Sequence, residues 1–112
     1  MPDYAQLLKG TLEGCILKLI SNEPTYGYQL AEQINAYPFV NITEGTLYPM
    51  LLRLERRKLI SASFRPSPNG PSRKYYTLTE EGVIYLEEFC KAWNNVAKMT
   101  DSILGGNSEE SV

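Results

Sequence analysis

The chain has 112 residues, 43% of them hydrophobic, and a formal net charge of −2 at pH 7. This length accommodates one ordinary domain with a packed core and excludes two, and the hydrophobic content excludes wholesale disorder. No apolar run reaches the ~20 residues that a membrane-spanning helix needs, and residues 1–4 lack the basic start of a secretory signal, so we expect a cytoplasmic protein with no membrane partner.

The first predicted helix spans residues 4–20, where apolar residues recur at intervals of three or four. Further apolar positions widen the stripe, which is typical of a helix that packs both on its own core and on a partner subunit. Pro24 disfavours helix in the residue before it and ends this element. Cys15 lies in this helix and Cys90 in the last one; neither has a second cysteine nearby, which predicts two reduced, buried thiols.

The second predicted helix covers about residues 26–36, with Thr25 as its N-cap. The segment 37–41 contains Pro38 and is expected to be a short connection to the next helix. Two short helices with a short connection are typical of the middle of a helix-turn-helix unit.

The third predicted helix begins after Thr43, whose hydroxyl can accept a hydrogen bond from an amide of the first turn. Glu44 suits the positive end of the helix dipole, and Ile42 and Leu47 are placed to pack across the cap. Pro49 falls in the second turn, where it removes one backbone hydrogen bond. The buried stripe is expected to consist of Leu47, Met50, Leu51 and Leu54.

A β-hairpin is predicted next, with strands at 61–65 and 73–78. The intervening segment, 66–72, is rich in turn-forming residues. Pro71 cannot donate a ladder hydrogen bond and is therefore assigned to the loop. The two adjacent tyrosines of the second strand alternate across it, so one should be in the core and the other at the surface.

The last predicted helix spans 79–104, with Thr79 as its cap and glutamates in its first turn. Its apolar residues alternate at spacings of three and four, as in a coiled-coil seam. At ~1.5 Å per residue this helix is about 39 Å long, more than a core of this size can cover, so its distal half should pack against another subunit. Gly105-Gly106 is expected to end the helix, and residues 105–112 to form a disordered tail.

Positive charge is concentrated in the middle of the chain. Residues 44–78 hold seven cations and two acids, a local charge of +5, whereas the remaining residues carry −7. A polyanion responds to the local patch rather than to the total charge, so the patch favours DNA binding. An ordinary solvated face is the alternative explanation.

The order of elements predicts a mainly α fold with a small β-hairpin (α+β), namely a winged helix-turn-helix followed by a long helix. Three motifs carry a resemblance to a known family: Tyr26-Gly27-Tyr28-Gln29-Leu30, Thr46-Leu47-Tyr48-Pro49 with Leu51, Leu54 and Glu55, and Arg73-Lys74-Tyr75-Tyr76-Thr77-Leu78-Thr79-Glu80-Glu81-Gly82. Over residues 5–104 the sequence closely resembles the PadR family of bacterial transcription regulators.

The resemblance implies a homodimeric repressor that binds a palindromic operator in double-stranded DNA. Residues 1–78 would form the winged helix-turn-helix DNA-binding domain, 79–104 the dimerisation helix and 105–112 the tail. Two third helices in such a dimer should lie one DNA turn apart, on the order of 34 Å.

The expected DNA-contacting residues lie at the start of the second helix, on the third helix and in the wing. They are Tyr26, Gly27, Thr43, Glu44, Gly45, Thr46, Tyr48, Pro49, Arg53, Arg73 and Lys74. Tyr26 and Gly27 are included because they resemble the family's phosphate-contacting turn. Two alternatives stay open: Tyr48 belongs partly to the core, and Arg56, Arg57 and Lys58 form a solvated helix terminus. The wing loop is also poorer in arginine than is usual in the family.

The short C-terminal helix resembles that of a small PadR branch that includes a multidrug-responsive repressor. In that branch a tryptophan at the place of Trp93 pairs with its twin across the dimer and stacks flat aromatic ligands. The resemblance implies a ligand site at Trp93, Phe89, Val96, Leu12 and Cys15. The expected dimer interface comprises Leu8, Leu86, Phe89, Trp93, Val96, Thr100 and Ile103.

Two other classes of function are alternatives to DNA binding. An enzyme needs a positioned base, yet the chain has no histidine, and the acid pairs at 80–81 and 87–88 are most simply helix cap and surface. We therefore expect no catalytic residue, no metal site and no cofactor. A winged-helix module used only for protein association is the remaining alternative, and the basic patch speaks against it.

Overall fold

A computed structural model describes residues 3–105 of the chain. Within them the elements follow in the order α1 (Tyr4–Leu8), α2 (Leu12–Asn22), β1 (Thr25–Tyr26), α3 (Gly27–Asn35), α4 (Glu44–Arg56), β2 (Ile60–Ser67), β3 (Gly70–Leu78) and α5 (Glu80–Leu104). The strands form one antiparallel sheet in the order β1-β3-β2. This confirms the predicted winged-helix class, with a third, two-residue strand added to the predicted hairpin.

The prediction of a single first helix over 4–20 is wrong, because the chain breaks at Gly10. This glycine adopts φ +95, a left-handed conformation that other residues rarely tolerate. The amide and the hydroxyl of Thr11 both donate to the Leu8 carbonyl, at 3.0 and 2.9 Å, and close the turn. Two helices, α1 and α2, therefore replace the predicted one.

Thr25 is a strand residue and not the predicted cap of α3. It pairs with Tyr76 across β1 and β3 and is almost fully buried. Its hydroxyl donates to Gln29 Oε1 at 2.7 Å instead of accepting from a helix amide. Tyr26 occupies the cap position of α3 without a side-chain hydrogen bond. The backbone partner offered by β3 outweighs the local capping preference of threonine.

The hairpin is longer than predicted, and its turn is only residues 68–69. Ser67 pairs with Gly70, and the register shifts between Arg65 and Ser67. Pro71 lies within β3 and not in the loop, which corrects the prediction. Its missing N–H is tolerated because it falls next to this shift in the ladder and is exposed.

The core forms where α2, α3, α4 and the sheet meet. Its fully buried side chains are Ile16, Leu17, Leu30, Leu47, Leu51, Leu54, Ile60 and Tyr76. Three residues of the predicted α4 stripe are thus confirmed, while Met50 is half-buried at its edge. Of the paired tyrosines, Tyr76 is the core residue and Tyr75 is half-buried.

Two of the three predicted threonine caps, Thr43 and Thr79, are confirmed. Thr43 Oγ1 accepts from the Thr46 amide at 3.2 Å, and Thr79 Oγ1 accepts from the Gly82 amide at 3.0 Å. A Cβ at Gly82 would collide with the Leu59 carbonyl, which already accepts from the Thr79 amide at 3.1 Å. Close backbone contact therefore fixes the start of α5 against the segment between α4 and β2.

The far half of α5 receives little cover from its own chain. From Lys91 to Leu104 every residue is exposed or half-buried, and Ile103 is 74% exposed. Gly105, at φ +71, ends the helix as its left-handed cap, as predicted. Beyond Gly105, the predicted disordered tail lies outside the described residues. Among residues 3–105, no helix combines the length and the apolar character that crossing a membrane requires.

The two cysteines are exposed in this chain, contrary to the prediction that both are buried. Cys15 lies on α2 and Cys90 on α5, on surfaces that the described part of the chain leaves uncovered. The helical periodicity correctly marked an apolar side of each helix, but the sequence did not show that this side faces outward from a single chain.

One side chain fixes the turn between α3 and α4. Asn35 donates from Nδ2 to the Ile42 carbonyl at 2.8 Å and accepts from the Ile42 amide through Oδ1 at 2.7 Å. Ile42 is itself buried in the core and directly precedes the cap of α4. The Asn35 amide therefore sets where α4 begins relative to α3.

We expect Asn35→Ala to lower the free energy of unfolding by about 1–3 kcal/mol, because both polar groups of Ile42 lose their partner in a partly buried place. Urea denaturation followed by circular dichroism measures the change. Glu32→Ala, an exposed change on the same helix, is the control. Equal stability of the two variants would contradict the role assigned to Asn35.

Candidate nucleic-acid interface

Burial of one side of α4 leaves its opposite side open to solvent. The predicted contact residues Thr43, Glu44, Gly45, Thr46, Tyr48, Pro49 and Arg53 are all exposed. Gly45, Pro49 and Arg56 follow one another at helical spacing on the side opposite the buried leucines. We call the exposed side of α4, from Thr43 to Arg56, the α4 face.

Pro49 stands inside α4, which continues through it. Because proline has no amide hydrogen, the carbonyl of Gly45, four residues earlier, receives no helical hydrogen bond from it. Both residues are exposed, so the Gly45 carbonyl can accept a hydrogen bond from a molecule that contacts the α4 face. Gly45 adds no side chain of its own, and the backbone can approach another surface closely there.

Tyr48 links α4 to the start of α3. A Cβ at Gly27 would lie 3.4 Å from both Cζ and the hydroxyl oxygen of the Tyr48 ring, so the ring rests on this glycine. The side chain is nevertheless 51% exposed. Tyr48 is therefore partly a packed residue and partly a surface residue. One side of its ring packs on Gly27, and the other side belongs to the α4 face beside Tyr26 and Gly27.

Arg57 serves the fold. Its Nη1 lies 2.9 Å from Glu13 Oε1, and its guanidinium lies 4.9 Å from the centre of the Tyr85 ring. Hydrogen bonds with Tyr85 and Glu13 raise its pKa. Arg57 thus ties the end of α4 to α2 and α5, whereas its neighbour Arg56 is exposed on the α4 face.

Lys74, predicted to contact DNA, is engaged within the chain. Its Nζ donates to Glu55 Oε1 at 3.0 Å, and this hydrogen bond raises the pKa of Lys74. The pair joins β3 of the wing to α4. Lys74 therefore holds the wing against α4.

The outer side of the sheet carries a stack of alternating arginine and tyrosine side chains. The Arg65 guanidinium lies 4.5 Å from the Tyr75 ring centre, and the Arg73 guanidinium 4.6 Å from that of Tyr26. The two rings are 5.2 Å apart. Arg73 and Tyr26 were predicted as contact residues, and the structure brings them together.

Two further exposed cations, Arg56 and Arg65, were not among the predicted contact residues. Arg56 was assigned to a solvated terminus, although its spacing of seven from Pro49 places it on the α4 face. Arg65 received no assignment. Its pairing opposite Arg73 depends on the hairpin register, which the predicted turn of seven residues left undefined.

Trp93 borders an apolar cavity of about 480 Å³ between α2, α5 and the α3–α4 connection. Four of the five predicted ligand residues line it: Leu12, Cys15, Phe89 and Trp93. Val96 does not, because it lies further along α5, where it is half exposed. The Cys15 side chain is exposed, but the neighbouring cavity wall partly shields its thiol from water, and this desolvation raises the pKa of the thiol. A second cavity of about 860 Å³ lies between α1 and α4, and Arg53 is at its wall.

The predicted dimer residues divide into three groups by exposure in the single chain. Leu86 is buried in the core, and its assignment to the dimer interface stays a prediction. Leu8 and Phe89 are half-buried. Trp93, Val96, Thr100 and Ile103 are exposed along the far half of α5.

The family model for PadR-like transcriptional regulators matches residues 16–88, which include α3, α4 and the whole wing. The chain belongs to the PadR-like family. PadR-like proteins are transcription regulators and not enzymes; they bind DNA and are typically dimers. The matched residues contain the α4 face and the wing, which are the candidate DNA-binding elements of this chain.

Similar proteins cover nearly all of the chain. A structure of a PadR-like transcriptional regulator from Bacillus cereus is 45% identical, has a TM-score of 0.80 and covers 88% of this chain and 96% of its own. One of a PadR family regulator from Eggerthella lenta is 31% identical, with a TM-score of 0.81 and coverage of 90% and 88%. An uncharacterized protein of Lysinibacillus sphaericus is 34% identical over 104 residues, 91% of this chain and 95% of its own.

Arg56 and Arg57 offer a matched pair of charge deletions. Arg56→Gln should weaken binding to any duplex by about tenfold, the loss expected for one charge-assisted phosphate contact. Arg57→Gln should leave binding nearly unchanged and lower stability instead, because Arg57 is bound to Glu13. Fluorescence anisotropy with a labelled duplex and urea denaturation measure the two effects. Equal effects of both variants on DNA affinity would contradict the assignment of Arg56 to DNA contact and of Arg57 to the fold.

Proposed function

We propose that this protein is a cytoplasmic transcriptional repressor that binds a palindromic operator as a homodimer and is released by flat aromatic ligands. In this proposal, residues 1–78 form the DNA-binding domain and residues 79–104 the dimerisation helix. The observation that carries the proposal is the α4 face, on which Arg53 and Arg56 are exposed. The Lys74–Glu55 pair joins this helix to the wing that carries Arg65 and Arg73.

The polar groups of the proposed interface suit a duplex. The α4 face presents backbone and short side chains at its start and guanidiniums towards its end. A helix of this width enters the major groove, and cations beside it can contact backbone phosphates. The proposed contact residues are Tyr26, Gly27, Thr43, Glu44, Gly45, Thr46, Tyr48, Pro49, Arg53, Arg73 and Lys74, with Arg56 and Arg65 added from the structure.

Homodimerisation follows from the far half of α5. Trp93, Val96 and Ile103 lie on one side of this helix at spacings of three and seven, and each is about half exposed or more in the single chain. An apolar stripe of this kind is stable only when something covers it, and a second copy of the same stripe is complementary by symmetry. Two copies related by a twofold axis would present two α4 faces to one side of a duplex.

Ligand sensing is supported by the position of the cavity beside Trp93. Its volume of about 480 Å³ lies within the range of small-molecule sites, and its lining is mostly apolar. It borders the same stretch of α5 that the dimer would use. A ligand that shifts the two helices would change the spacing of the α4 faces and thereby the affinity for DNA.

The direct test is a gel-shift assay on the promoter of the protein's own gene. The proposal predicts saturable binding that weakens steeply with rising salt, with a slope of about −0.9 per phosphate contacted. Binding to no duplex at low salt would leave only a winged-helix module for protein association. Equal affinity for all duplexes would contradict the proposed recognition of a specific operator sequence.

The dimer is tested by one introduced carboxylate. Val96→Asp should convert the dimer to a monomer at micromolar concentration, because a charge buried in an apolar seam lacks a partner. Asn95→Asp, the same carboxylate on the next residue and away from the stripe, should leave the dimer intact. Size-exclusion chromatography with light scattering measures both masses. A monomeric wild-type protein would contradict the proposal.

The ligand site is tested with ethidium, a flat aromatic cation, in the absence of DNA. Trp93→Ala should weaken ethidium binding by about tenfold or more, whereas Trp93→Phe, which keeps an aromatic face, should lose less. Fluorescence polarisation of ethidium measures both without relying on tryptophan emission. Unchanged binding to the alanine variant would remove Trp93 from the site.

A further inference from the structure

Both cysteines of the chain line the same apolar cavity. Cys15 on α2 and Cys90 on α5 belong to the wall of the cavity of about 480 Å³ that Trp93 borders. Each thiol is free, and each side chain is exposed in the described part of the chain. Cysteine is among the residues most often buried, so two exposed thiols on one apolar surface are unusual. A molecule bound in this cavity therefore meets two soft nucleophiles.

A close contact between α2 and α5 positions the two cysteines. A Cβ at Gly14 would collide with the Phe89 ring, so this ring lies directly on the backbone of α2. Cys15 follows Gly14 in the chain, and Cys90 follows Phe89. Each thiol is therefore one residue away from the place where the two helices touch. Because Gly14 is buried, helix packing fixes this arrangement.

Cys90 and Trp93 lie on the same side of α5, and both line the cavity. Residues three apart in a helix have Cβ atoms about 5–6 Å apart, so the Cys90 thiol lies beside the indole. A flat aromatic molecule stacked on the indole would present its ring edge to this sulfur. Holding a reactant beside a nucleophile raises the rate of attack above that of the two free molecules.

The other thiol is the slower nucleophile of the two walls. Desolvation raises the pKa of Cys15, so less of this thiol is present as the reactive thiolate at neutral pH. Cys15 also lies on α2, whereas the indole on which a ligand would stack lies on α5. We therefore expect the first attack to come from Cys90.

The polar lining of the cavity indicates which electrophile fits. Of the described residues that line it, Lys18 alone is charged, and it lies three residues after Cys15 on α2. Conjugate addition of a thiol to a quinone moves negative charge onto a carbonyl oxygen. An ammonium group can donate a hydrogen bond to that oxygen and stabilise the charge. A flat ring with conjugated carbonyl groups therefore matches the aromatic wall, the thiols and the lysine together.

We propose that this cavity is a covalent capture site for flat aromatic quinones, with Cys90 as the first nucleophile and Cys15 as a second, slower one. The proposal rests on the proposed ligand sensing and names the class of ligand and its bond to the protein. The Cys90 sulfur forms a bond with an open ring carbon of the quinone. The thiol proton and the hydrogen of that carbon end on the two carbonyl oxygens, so the adduct is a hydroquinone. The thiol supplies the electron pair that reduces the quinone, and no other oxidant or reductant takes part.

The test treats the full-length protein with menadione, a flat two-ring quinone with one open carbon on its quinone ring, in oxygen-free buffer. Intact mass spectrometry should show the mass of one menadione added to each chain, and peptide mapping should place it on Cys90. Cys90→Ser should slow the addition by about tenfold or more, which leaves the reaction of Cys15. Iodoacetamide, a small thiol reagent that needs no aromatic surface, serves as the reference reagent.

A change at Trp93 separates capture in the cavity from ordinary exposure of the thiol. Trp93→Ala should slow the addition of menadione by about tenfold and leave the rate with iodoacetamide nearly unchanged, because only the quinone stacks on the indole. Trp93→Phe keeps an aromatic face and should lose less. Equal slowing of both reagents by Trp93→Ala would show that the change altered only the exposure of Cys90, and it would overturn the capture site.

Other outcomes separate this inference from the proposed function. Wild-type protein that binds ethidium, yet reacts with menadione no faster relative to iodoacetamide than free glutathione does, would overturn the capture site alone. Absence of both ethidium binding and menadione addition would remove the ligand site together with it. Loss of hydrogen from the chain without added menadione would identify a disulfide between the two cysteines and overturn the conjugate addition.

Discussion

The fold depends on the burial of one side of α4. Leu47, Leu51 and Leu54 are fully inaccessible, and each such side chain contributes roughly 1.5–3 kcal/mol relative to an exposed position. This burial fixes the rotation of α4 about its own axis, so the opposite side must face solvent. The DNA-reading surface is therefore a direct consequence of core packing. Contacts of Asn35, Lys74 and Tyr48 then fix the turn, the wing and the start of α3 around the same helix.

The charges of the protein are divided between two tasks. The chain is acidic overall, at −2, yet its middle third is strongly basic. Two basic side chains, Arg57 and Lys74, are hydrogen-bonded to glutamates and hold elements together. The other exposed cations of this part of the chain lie on α4 and on the wing, two elements that the Lys74–Glu55 pair joins, and they are available to a polyanion. The acidic remainder of the chain would be repelled by DNA and would orient the basic region towards it.

Local chemistry made part of this structure predictable. Thr43 and Thr79 could be assigned as caps because each bond spans only three residues, and the α4 face followed from the spacing of its buried leucines. Thr25 carries a similar local signal but forms a strand, because Tyr76 arrives from a distant part of the chain. Arg56 and Arg57 are adjacent and of the same residue type, so the sequence does not distinguish them. Folding brings Glu13 and Tyr85 next to Arg57 and not next to Arg56. The spacing of the apolar residues of α5 predicted a side that its own chain does not cover. The sequence of one chain does not show what covers that side.

The central claim is that two copies join through α5 and present two α4 faces to adjacent turns of one duplex. Hydroxyl-radical footprinting of the complex on the protein's own promoter tests it most directly. The account predicts two protected backbone segments related by twofold symmetry, with centres on the order of 34 Å apart along the helix axis. A single protected segment, or protection without symmetry, would contradict it.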